Sequence, residues 1–496
     1  MESLTSLLHG LSIALQPENL MFCFYGVLIG TLVGVLPGIG PNAAISLLLP
    51  FTFKIPPVSA IIMLAGIYYG ATYGGSTTSI LVNIPGEAAS VITCMDGYQM
   101  ALQGRAGPAL GIAAFGSFIA GTFGVIALMF VAPPLAKFAL LFGPPEYCSL
   151  MLMSLCLITF LASGSMVRAL LMAAVGLFLG TMGMDSQSGR TRFVYDIPYL
   201  SDGLPLVPVV MGLFGISEVL KNVGESEESS ILKSKIKGLF PSLQDWKDSA
   251  FPILRGTLIG FFLGLIPGVG VTIPTFISYG VERKLSRHPE KFGTGVIEGV
   301  AAPEACNNAT ASGLFVPLLS LGIPGSAGMA LFLGALMIYG LRPGPLLIQN
   351  NPDVFWGVVA SMYLGNAMLL VLNLPLIPLW VRILKIPYYL LFPLILVFCL
   401  IGSYSLNNNA ADVIIMITFG ILGYTFDRFR YEVPPLILGF ILGPMFEAEF
   451  RRTLALSRGS FAIFFSRPIS VFFISVALLV LIFPIVKHLV RMREEA

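Results

Sequence analysis

Charge is scarce in this sequence. Its 496 residues hold 28 Lys and Arg and 26 Asp and Glu, or 11 % charged, against roughly 25 % in a soluble domain. A water-soluble globule is excluded, because too little polar surface is available to cover a body of this size. Histidine is nearly absent, with three residues (His9, His288, His488), which disfavours a histidine-built metal or catalytic centre. Six cysteines (Cys23, Cys94, Cys148, Cys156, Cys306, Cys399) are scattered through mostly apolar stretches. No CxxC and no metal-ligand spacing occurs, so they read as small buried hydrophobes. The net charge of +2 comes with no basic block of the kind that binds nucleic acid. The first twenty residues carry no Lys or Arg, so a signal peptide's basic region is missing. Leu4 to Leu15 reads instead as an interfacial or early core helix. No GxxxxGK[ST] loop occurs, so ATP hydrolysis is not expected. An intramembrane enzyme would need a motif such as HExxH or GxSxG, and neither is present.

What is abundant is apolar. Hydrophobic residues reach 56 %, and the mean hydropathy is +0.87. Apolar runs recur at 58–73, 107–131, 147–161, 165–183, 204–220, 299–321, 354–374, 388–402, 411–424, 433–446 and 468–486. They are too long and continuous for barrel strands of about ten alternating residues. Helices are the remaining way to satisfy backbone polar groups in lipid. The fold class expected is an all-α polytopic membrane protein of about ten to fourteen helical elements.

One stretch differs. Residues 221–255 carry six basic and five acidic residues, which reads as a solvated, cytoplasmic connector with an interfacial piece near 231–246. It divides the chain into a first transmembrane half, 1–220, and a second half with C-terminal helices, 256–496. The halves resemble each other. GVLIGTLVGVLPGIG at 26–40 and GTLIGFFLGLIPGVG at 256–270 share eight of fifteen residues at an offset of 230. Ile84-Pro85-Gly86 then matches Ile323-Pro324-Gly325, and Gly104–Pro108 resembles Gly340–Pro345. Internal repeats of this kind are typical of secondary transporters.

Residues 256–281 carry no charge over 26 residues. A single helix of that length would run about 39 Å, beyond a hydrocarbon core of about 30 Å. Pro267, Gly268 and Gly270 interrupt it midway, since proline removes a helical donor and glycine tolerates strained dihedrals. Each arm of about 11 residues then reaches the midplane, as a discontinuous span or a re-entrant hairpin. Lys247 and Arg255 before it, with Arg283, Lys284, Arg287 and Lys291 after it, put both flanks in the cytoplasm and favour the hairpin. The first segment, with Pro37, Gly38 and Gly40, has only Lys54 shortly after it, so both of its flanks are expected outside. That is the pattern of an inverted repeat.

Each half also carries an IPG break (Pro85-Gly86, Pro324-Gly325). Irregular backbone is tolerated in a membrane where protein buries it or a watery cavity meets it. Broken-helix ends suit a carboxylate at their N–H side, and unwound carbonyls suit Na⁺. Simple bending would explain one kink, but four breaks in paired order favour a binding site. Small polar residues crowd these breaks: Asn42, Ser46, Ser76, Thr77, Thr78, Ser79 and Asn83 in the first half, and Thr272, Thr275, Asn307, Asn308, Thr310, Ser312 and Ser326 in the second. Such groups bind a carboxylate or cation without the desolvation cost of a full charge, although an isolated one more often packs helices together. Glu87 and Glu304 are the candidates for proton or cation coupling. Asp96 and Glu298 read rather as interfacial or loop residues. No Lys or Arg sits inside the breaks, which leaves Arg105 or Arg342 as nearby cations for an anionic substrate.

The paired PGIGP and PGVG segments and the run EGVAAPEACNNATASGLFVPLLSLGIPGSAGMALFLGALMIYGLRPGP (298–345) resemble the large membrane subunit of the tripartite tricarboxylate transporters, the TctA family. The likeness runs from about residue 18 to 460. It implies a bacterial inner-membrane secondary transporter with two partners. One is a small four-helix membrane subunit of the TctB type, and the other a periplasmic solute-binding protein of the TctC type. It implies organic anions such as citrate and other carboxylates as substrates, driven by a cation gradient, with Na⁺ as a possible coupling ion and no other cofactor. The motif positions carried over are Pro37, Gly38, Gly40, Pro41, Asn42, Pro267, Gly268, Gly270, Glu304, Asn307, Asn308, Pro324 and Gly325. Cys306 stands where a Ser or Ala is expected and Val271 where a small residue is common, which leaves the substrate open. The competing class is a channel or a scaffolding subunit without coupled transport. Elevator-type movement is an analogy only.

The inverted assignment is tested by labelling single cysteines placed at 54 and 287. They are expected to react from opposite sides of the membrane; reaction from the same side would overturn it.

Overall fold

The computed structural model describes residues 2–36, 39–161, 165–185, 187–222, 238–384 and 388–494. The described chain is all-α apart from one small hairpin. The first part holds α1 (Glu2–Ala14), α2 (Pro17–Val35), α3 (Gly40–Thr52), α4 (Pro57–Val82), α5 (Val91–Leu102) and α6 (Ala106–Ala139). Then come α7 (Pro144–Leu161), α8 (Met166–Gly180) and the hairpin strands β1 (Gly183–Met184) and β2 (Thr191–Arg192). α9 (Leu206–Val210) runs through a π-helical turn, Met211–Ile216, into α10 (Ser217–Asn222). The second part holds α11 (Leu243–Gly264), α12 (Thr272–Leu285), α13 (Glu298–Leu321), α14 (Ala327–Ile338), α15 (Pro345–Asn350) and α16 (Pro352–Asn373). It closes with α17 (Ile377–Ile383), α18 (Tyr388–Asn407), α19 (Ala410–Arg428), α20 (Val433–Leu456), α21 (Ile463–Ser466) and α22 (Pro468–Glu494). The segments outnumber the ten to fourteen elements expected, because Pro and Gly cut the chain into short pieces such as α9, α10, α15, α17 and α21. The helical second part also starts earlier than residue 256. Ser242 caps α11 and forms a capping box with Asp245, which puts residues 243–255 of the charged stretch on a helix; residues 223–237 of it lie outside the described residues.

Seven helices among the described residues are long and apolar enough to cross a membrane: α2, α4, α6, α16, α18, α19 and α20. This is a polytopic membrane protein. α4 is buried at every residue from Ser59 to Val82. α13 is buried from Gly299 to Ser320, yet it falls outside the seven. Its Glu304, Asn307, Asn308, Thr310 and Ser312 lower its hydropathy, and a helix with no lipid-facing side can carry them.

Close backbone approach holds these two helices in place. On α2, Gly26, Gly30 and Gly34 are spaced by four and face α4. A Cβ at each would lie 2.4, 2.6 and 2.2 Å from the carbonyl oxygens of Met63, Ile67 and Ala71. On α11, Gly256, Gly260 and Gly264 face α13 in the same way, at 2.2, 2.2 and 2.8 Å from those of Ala302, Cys306 and Thr310. Helices approach this closely only where small residues line the contact.

Both central helices stop on a left-handed residue, Asn83 with φ 61° and Gly322 with φ 73°. Glycine adopts that conformation freely and asparagine tolerates it. An Ile-Pro pair follows each cap, and proline cannot continue the helix. α11 and α12 are separated by Ile266–Val271. There the amides of Gly268 and Gly270 both donate to the Gly325 carbonyl, at 3.0 and 3.2 Å. The second PGxG tip is thereby pinned to the second IPG break. In the first half, a Cβ on Gly86 would lie 2.2 Å from the Gly34 carbonyl oxygen, so the first IPG break seats on the end of α2. Pro37 and Gly38 lie outside the described residues.

The two halves interleave. α13 packs along α6 and touches α5. The Asp96 carboxylate accepts hydrogen bonds from the amides of Gly293, Gly295 and Val296 and from the Tyr279 hydroxyl. Asp96 is fully buried on α5, against the expectation of an interfacial or loop site. Its backbone donors lie 197 to 200 residues away, beyond the reach of sequence inspection. A second group of helices, α7, α8, α20 and α22, packs together, with α9, α10, α18 and α19 beside it. Between the hairpin and α20, Arg192 and Arg451 tie Asp185 in the hairpin loop to Glu447 of α20. The Ser188 hydroxyl, the Gln187 amide and these arginines hold the Asp185 carboxyl below its usual range.

Gly260→Leu is expected to force α11 off α13 and cost about 3 kcal/mol or more, at the upper end for overpacked contacts. Thermal unfolding of the purified protein measures it; an unchanged midpoint would contradict the backbone contact.

Candidate functional site

A cavity of about 460 Å³ lies where all four breaks converge. Ile39 to Ala43 reach it from the first PGxG break, and Pro85, Gly86, Glu87 and Ala88 from the first IPG break. Gly268, Gly270, Val271 and Thr272 come from the second PGxG break, and Ser326, Ala327 and Gly328 from the second IPG break. Tyr68 of α4 completes this side. The other wall comes from the second group of helices, through Ile158, Phe214, Glu218, Glu432, Pro434, Pro435 and Leu438.

Helix starts dominate the lining. α3 begins at Gly40 and α12 at Thr272, and neither has a side-chain cap on its first amides. α14 begins beside Ser326, whose hydroxyl accepts from the Met329 amide at 3.2 Å. Glu87 caps the short 3₁₀ turn Ala88–Ser90. Uncapped N–H groups and the positive dipole end favour an anion. The described lining contains no Lys, Arg or His. Glu218 is within 3.4 Å of Lys221.

Behind the cavity lies a buried polar cluster that joins the two halves. Glu304 of α13 is 1 % exposed. Its Oε2 accepts from the Ser76 hydroxyl of α4 and its Oε1 from the Thr93 hydroxyl of α5, each at 2.5 Å. One helical turn on, Asn307 donates through Nδ2 to Glu87 Oε1 at 2.8 Å. Asn308 donates to the Ser117 hydroxyl of α6 at 2.7 Å. Glu87 packs closely on α4 at Gly75, next to Ser76, where a Cβ would lie 3.1 Å from Glu87 Cγ.

Of the candidate residues, Gly40, Asn42, Pro85, Gly86, Glu87, Gly268, Gly270, Thr272 and Ser326 line the cavity. Ser76, Glu304 and Asn307 form the cluster behind it. Asn308 is in the packing between α13 and α6. Pro267, Pro324 and Gly325 shape the tips without being among the lining residues. Thr77 faces a separate, water-sized pocket beside Tyr73 and Asn373. The Thr78 hydroxyl donates to the Val35 carbonyl, and Asn83 serves as the left-handed cap. Neither Arg105 nor Arg342 lines the cavity; Arg105 pairs with Asp245. Thr93 and the far wall, Phe214, Glu218 and Glu432 to Leu438, carry no local signal, since they lie outside the repeated motifs.

Residues 20–438 match the tripartite tricarboxylate transporter TctA family. The chain is 48 % identical over 478 residues to an uncharacterized 52.8 kDa protein in the TAR-I ttuC' 3'region of Agrobacterium vitis, covering 96 % of this chain and 95 % of that protein. It is 47 % identical over 236 residues to an uncharacterized protein in the TAR-II ttuC' 3'region of the same organism, covering 48 % of this chain and 98 % of that protein. No solved structure matches the chain. The chain belongs to the tripartite tricarboxylate transporter TctA family.

Glu304→Ala is expected to leave the Ser76 and Thr93 hydroxyls without an acceptor, at about 1–3 kcal/mol for each. Glu304→Gln keeps the volume and one acceptor and should lose less. Thermal unfolding separates the two; equal midpoints would show that the hydroxyl bonds contribute nothing.

Proposed function

We propose that this TctA-family membrane protein is the large membrane-spanning subunit of a binding-protein-dependent secondary transporter in the bacterial inner membrane. It imports a carboxylate anion, a tricarboxylate such as citrate or a related di- or monocarboxylate, driven by a Na⁺ or H⁺ gradient. A TctC-type periplasmic protein delivers the anion, and a TctB-type four-helix subunit completes the membrane assembly. The observation that carries this reading is the convergence of all four breaks on one cavity edged by helix starts. Its volume falls in the range of about 300–1,000 Å³ common for small-molecule sites. Neutral hydroxyl, amide and backbone N–H donors there can bind a carboxylate and release it again. A basic side chain would hold it more tightly.

The matching glycine contacts of α2 with α4 and of α11 with α13 support a common ancestry of the halves. With the flanking charges, they support an inverted pair whose re-entrant tips meet at mid-membrane. The cavity lies between that paired body and the helices carrying Ile158, Phe214 and Glu432. Movement of one against the other would open it to alternate sides.

The test is uptake of labelled di- and tricarboxylates into vesicles holding this chain and both partners, with an imposed Na⁺ or H⁺ gradient and no ATP. Gradient-dependent accumulation that requires the binding protein is expected. Conduction without accumulation would favour a channel. Thr272→Asp should cut uptake at least tenfold by repelling the anion, while Thr272→Asn should retain most of it. An acidic residue in a first helical turn is compatible with folding. Pro267→Ala and Gly268→Leu should abolish uptake with membrane insertion kept, because the tip needs its unwound backbone. A Cβ on Gly268 would lie 2.8 Å from the Ile158 amide nitrogen. Wild-type uptake by Thr272→Asp would remove the anion from this helix start.

A further inference from the structure

A second hollow lies outside the site already described. It holds about 380 Å³ and runs between α2 and α3 on one side and α10 and α18 on the other. Of its eighteen lining residues, seventeen are apolar or glycine. The one charged group, Glu218, is within 3.4 Å of Lys221. The floor is closed, with Leu36 and Ala44 buried. The rim is open, since Phe51, Leu394 and Phe398 are 38 %, 53 % and 42 % exposed. α2 and α18 are both long and apolar enough to cross a membrane, so the open side faces hydrocarbon. A lining without free donors or acceptors offers nothing to a carboxylate and suits an alkyl chain.

Its length matches one leaflet. The hollow follows α3 from Ile39 to Phe51, twelve residues or about 18 Å at about 1.5 Å per residue. One leaflet of a hydrocarbon core of about 30 Å is about 15 Å deep. A partner helix crossing the whole core would need about twice that length. The outer end carries the marks of a membrane interface. Phe51 and Phe398 meet edge to face at 6.0 Å, and Phe53 lies 6.3 Å from Tyr339. The Tyr339 hydroxyl donates to the Thr52 carbonyl at 2.6 Å. Aromatic belts of this kind sit at headgroup level. Lys54 follows directly. It is exposed and makes no ion pair among the described residues, so its ammonium is free to meet a phosphate.

We propose that this hollow is a phospholipid site, with one acyl chain lying along α3 between α2 and α18 and its phosphate beside Lys54. The inner end of the chain reaches the cavity wall, because Ile39, Ala43 and Glu218 line both spaces. The lipid thus fills the seam between α3 and the helices α10 and α18. A flexible chain keeps a seam filled when its walls shift, whereas fixed side chains would leave a void. That consequence for transport rests on the function proposed above, whereas the lipid site itself does not.

The experiment uses the full-length chain in phosphatidylcholine vesicles. They carry a trace of phosphatidylglycerol with a diazirine on its acyl chain, and photolabelled positions are mapped by mass spectrometry. Label is expected within 39–51 and 391–398, and unlabelled phosphatidylglycerol should compete it away. Label at the exposed residues Val371 and Leu479 should not be competed over the same range. Leu47→Trp should fill the hollow and cut the label about fivefold or more. Lys54→Glu should raise the phosphatidylglycerol needed for half-competition about fivefold or more. Both should keep a monodisperse gel-filtration profile, and having two variants covers the failure of either to fold. Label that behaves as it does at Val371 and Leu479 would show ordinary lipid contact and overturn the site. Unchanged label and competition in both folded variants would do the same. Loss of the label on adding a TctB-type subunit would overturn it in favour of a protein segment. Competed label without carboxylate uptake would count against the transport reading alone, and uptake without competed label against this site alone.

Discussion

The structure depends on four helices packing backbone to backbone. α2 lies on α4 and α11 on α13 through glycines spaced by four, with no room for a methyl group between them. Such contacts remove α4 and α13 from lipid almost completely. A helix shielded on all sides can carry polar groups that a lipid-facing helix could not. This is why Ser76, Glu304, Asn307 and Asn308 are tolerated in the middle of a protein that is 56 % hydrophobic. The glycine stripes are therefore a precondition of the site, although none of the six glycines in them lines the cavity.

The same packing sets where the breaks fall. α4 and α13 each end on a left-handed residue followed by Ile-Pro, and the chain must turn there. The turn after α13 offers the Gly325 carbonyl, which collects the amides of Gly268 and Gly270. The turn after α4 tucks Gly86 against Gly34. Each pair of breaks is thus locked together by main-chain geometry. The short helices that start there, α3, α12 and α14, direct their N-termini into one space. Helix ends and neutral donors give this space a positive potential of the kind an anion needs, with the Glu87 carboxyl in its lining and the Glu304 carboxyl buried behind it.

Much of this was legible from residue order. The paired PGxG and IPG motifs marked the breaks, because proline and glycine act on the backbone locally. The membrane class followed from the shortage of charge. Family membership was readable in the run from 298 to 345. Other parts were not legible. Asp96 resembled an interfacial acid, because its amide donors come from a loop almost two hundred residues later. Thr93 carried no signal, since one threonine in a helix says nothing about an acceptor on α13. Arg105 and Arg342 were plausible cations for a substrate by position, yet Arg105 is taken up by Asp245.

By itself, the sequence determined the class of the protein, the family, the positions of the breaks and the polar residues near them. These are local properties of composition and backbone chemistry, and they hold whatever the rest of the chain does. Only the tertiary structure decided which of those residues meet. It divided them into a cavity lining with Asn42, Glu87, Thr272 and Ser326, a buried cluster with Ser76, Glu304 and Asn307, and packing or capping positions with Thr78, Asn83 and Asn308. It also supplied the far wall from Ile158, Phe214 and Glu432. The reason is that helices from the two halves interleave, so neighbours in space are set by which faces can approach closely. That is a property of whole helices in contact.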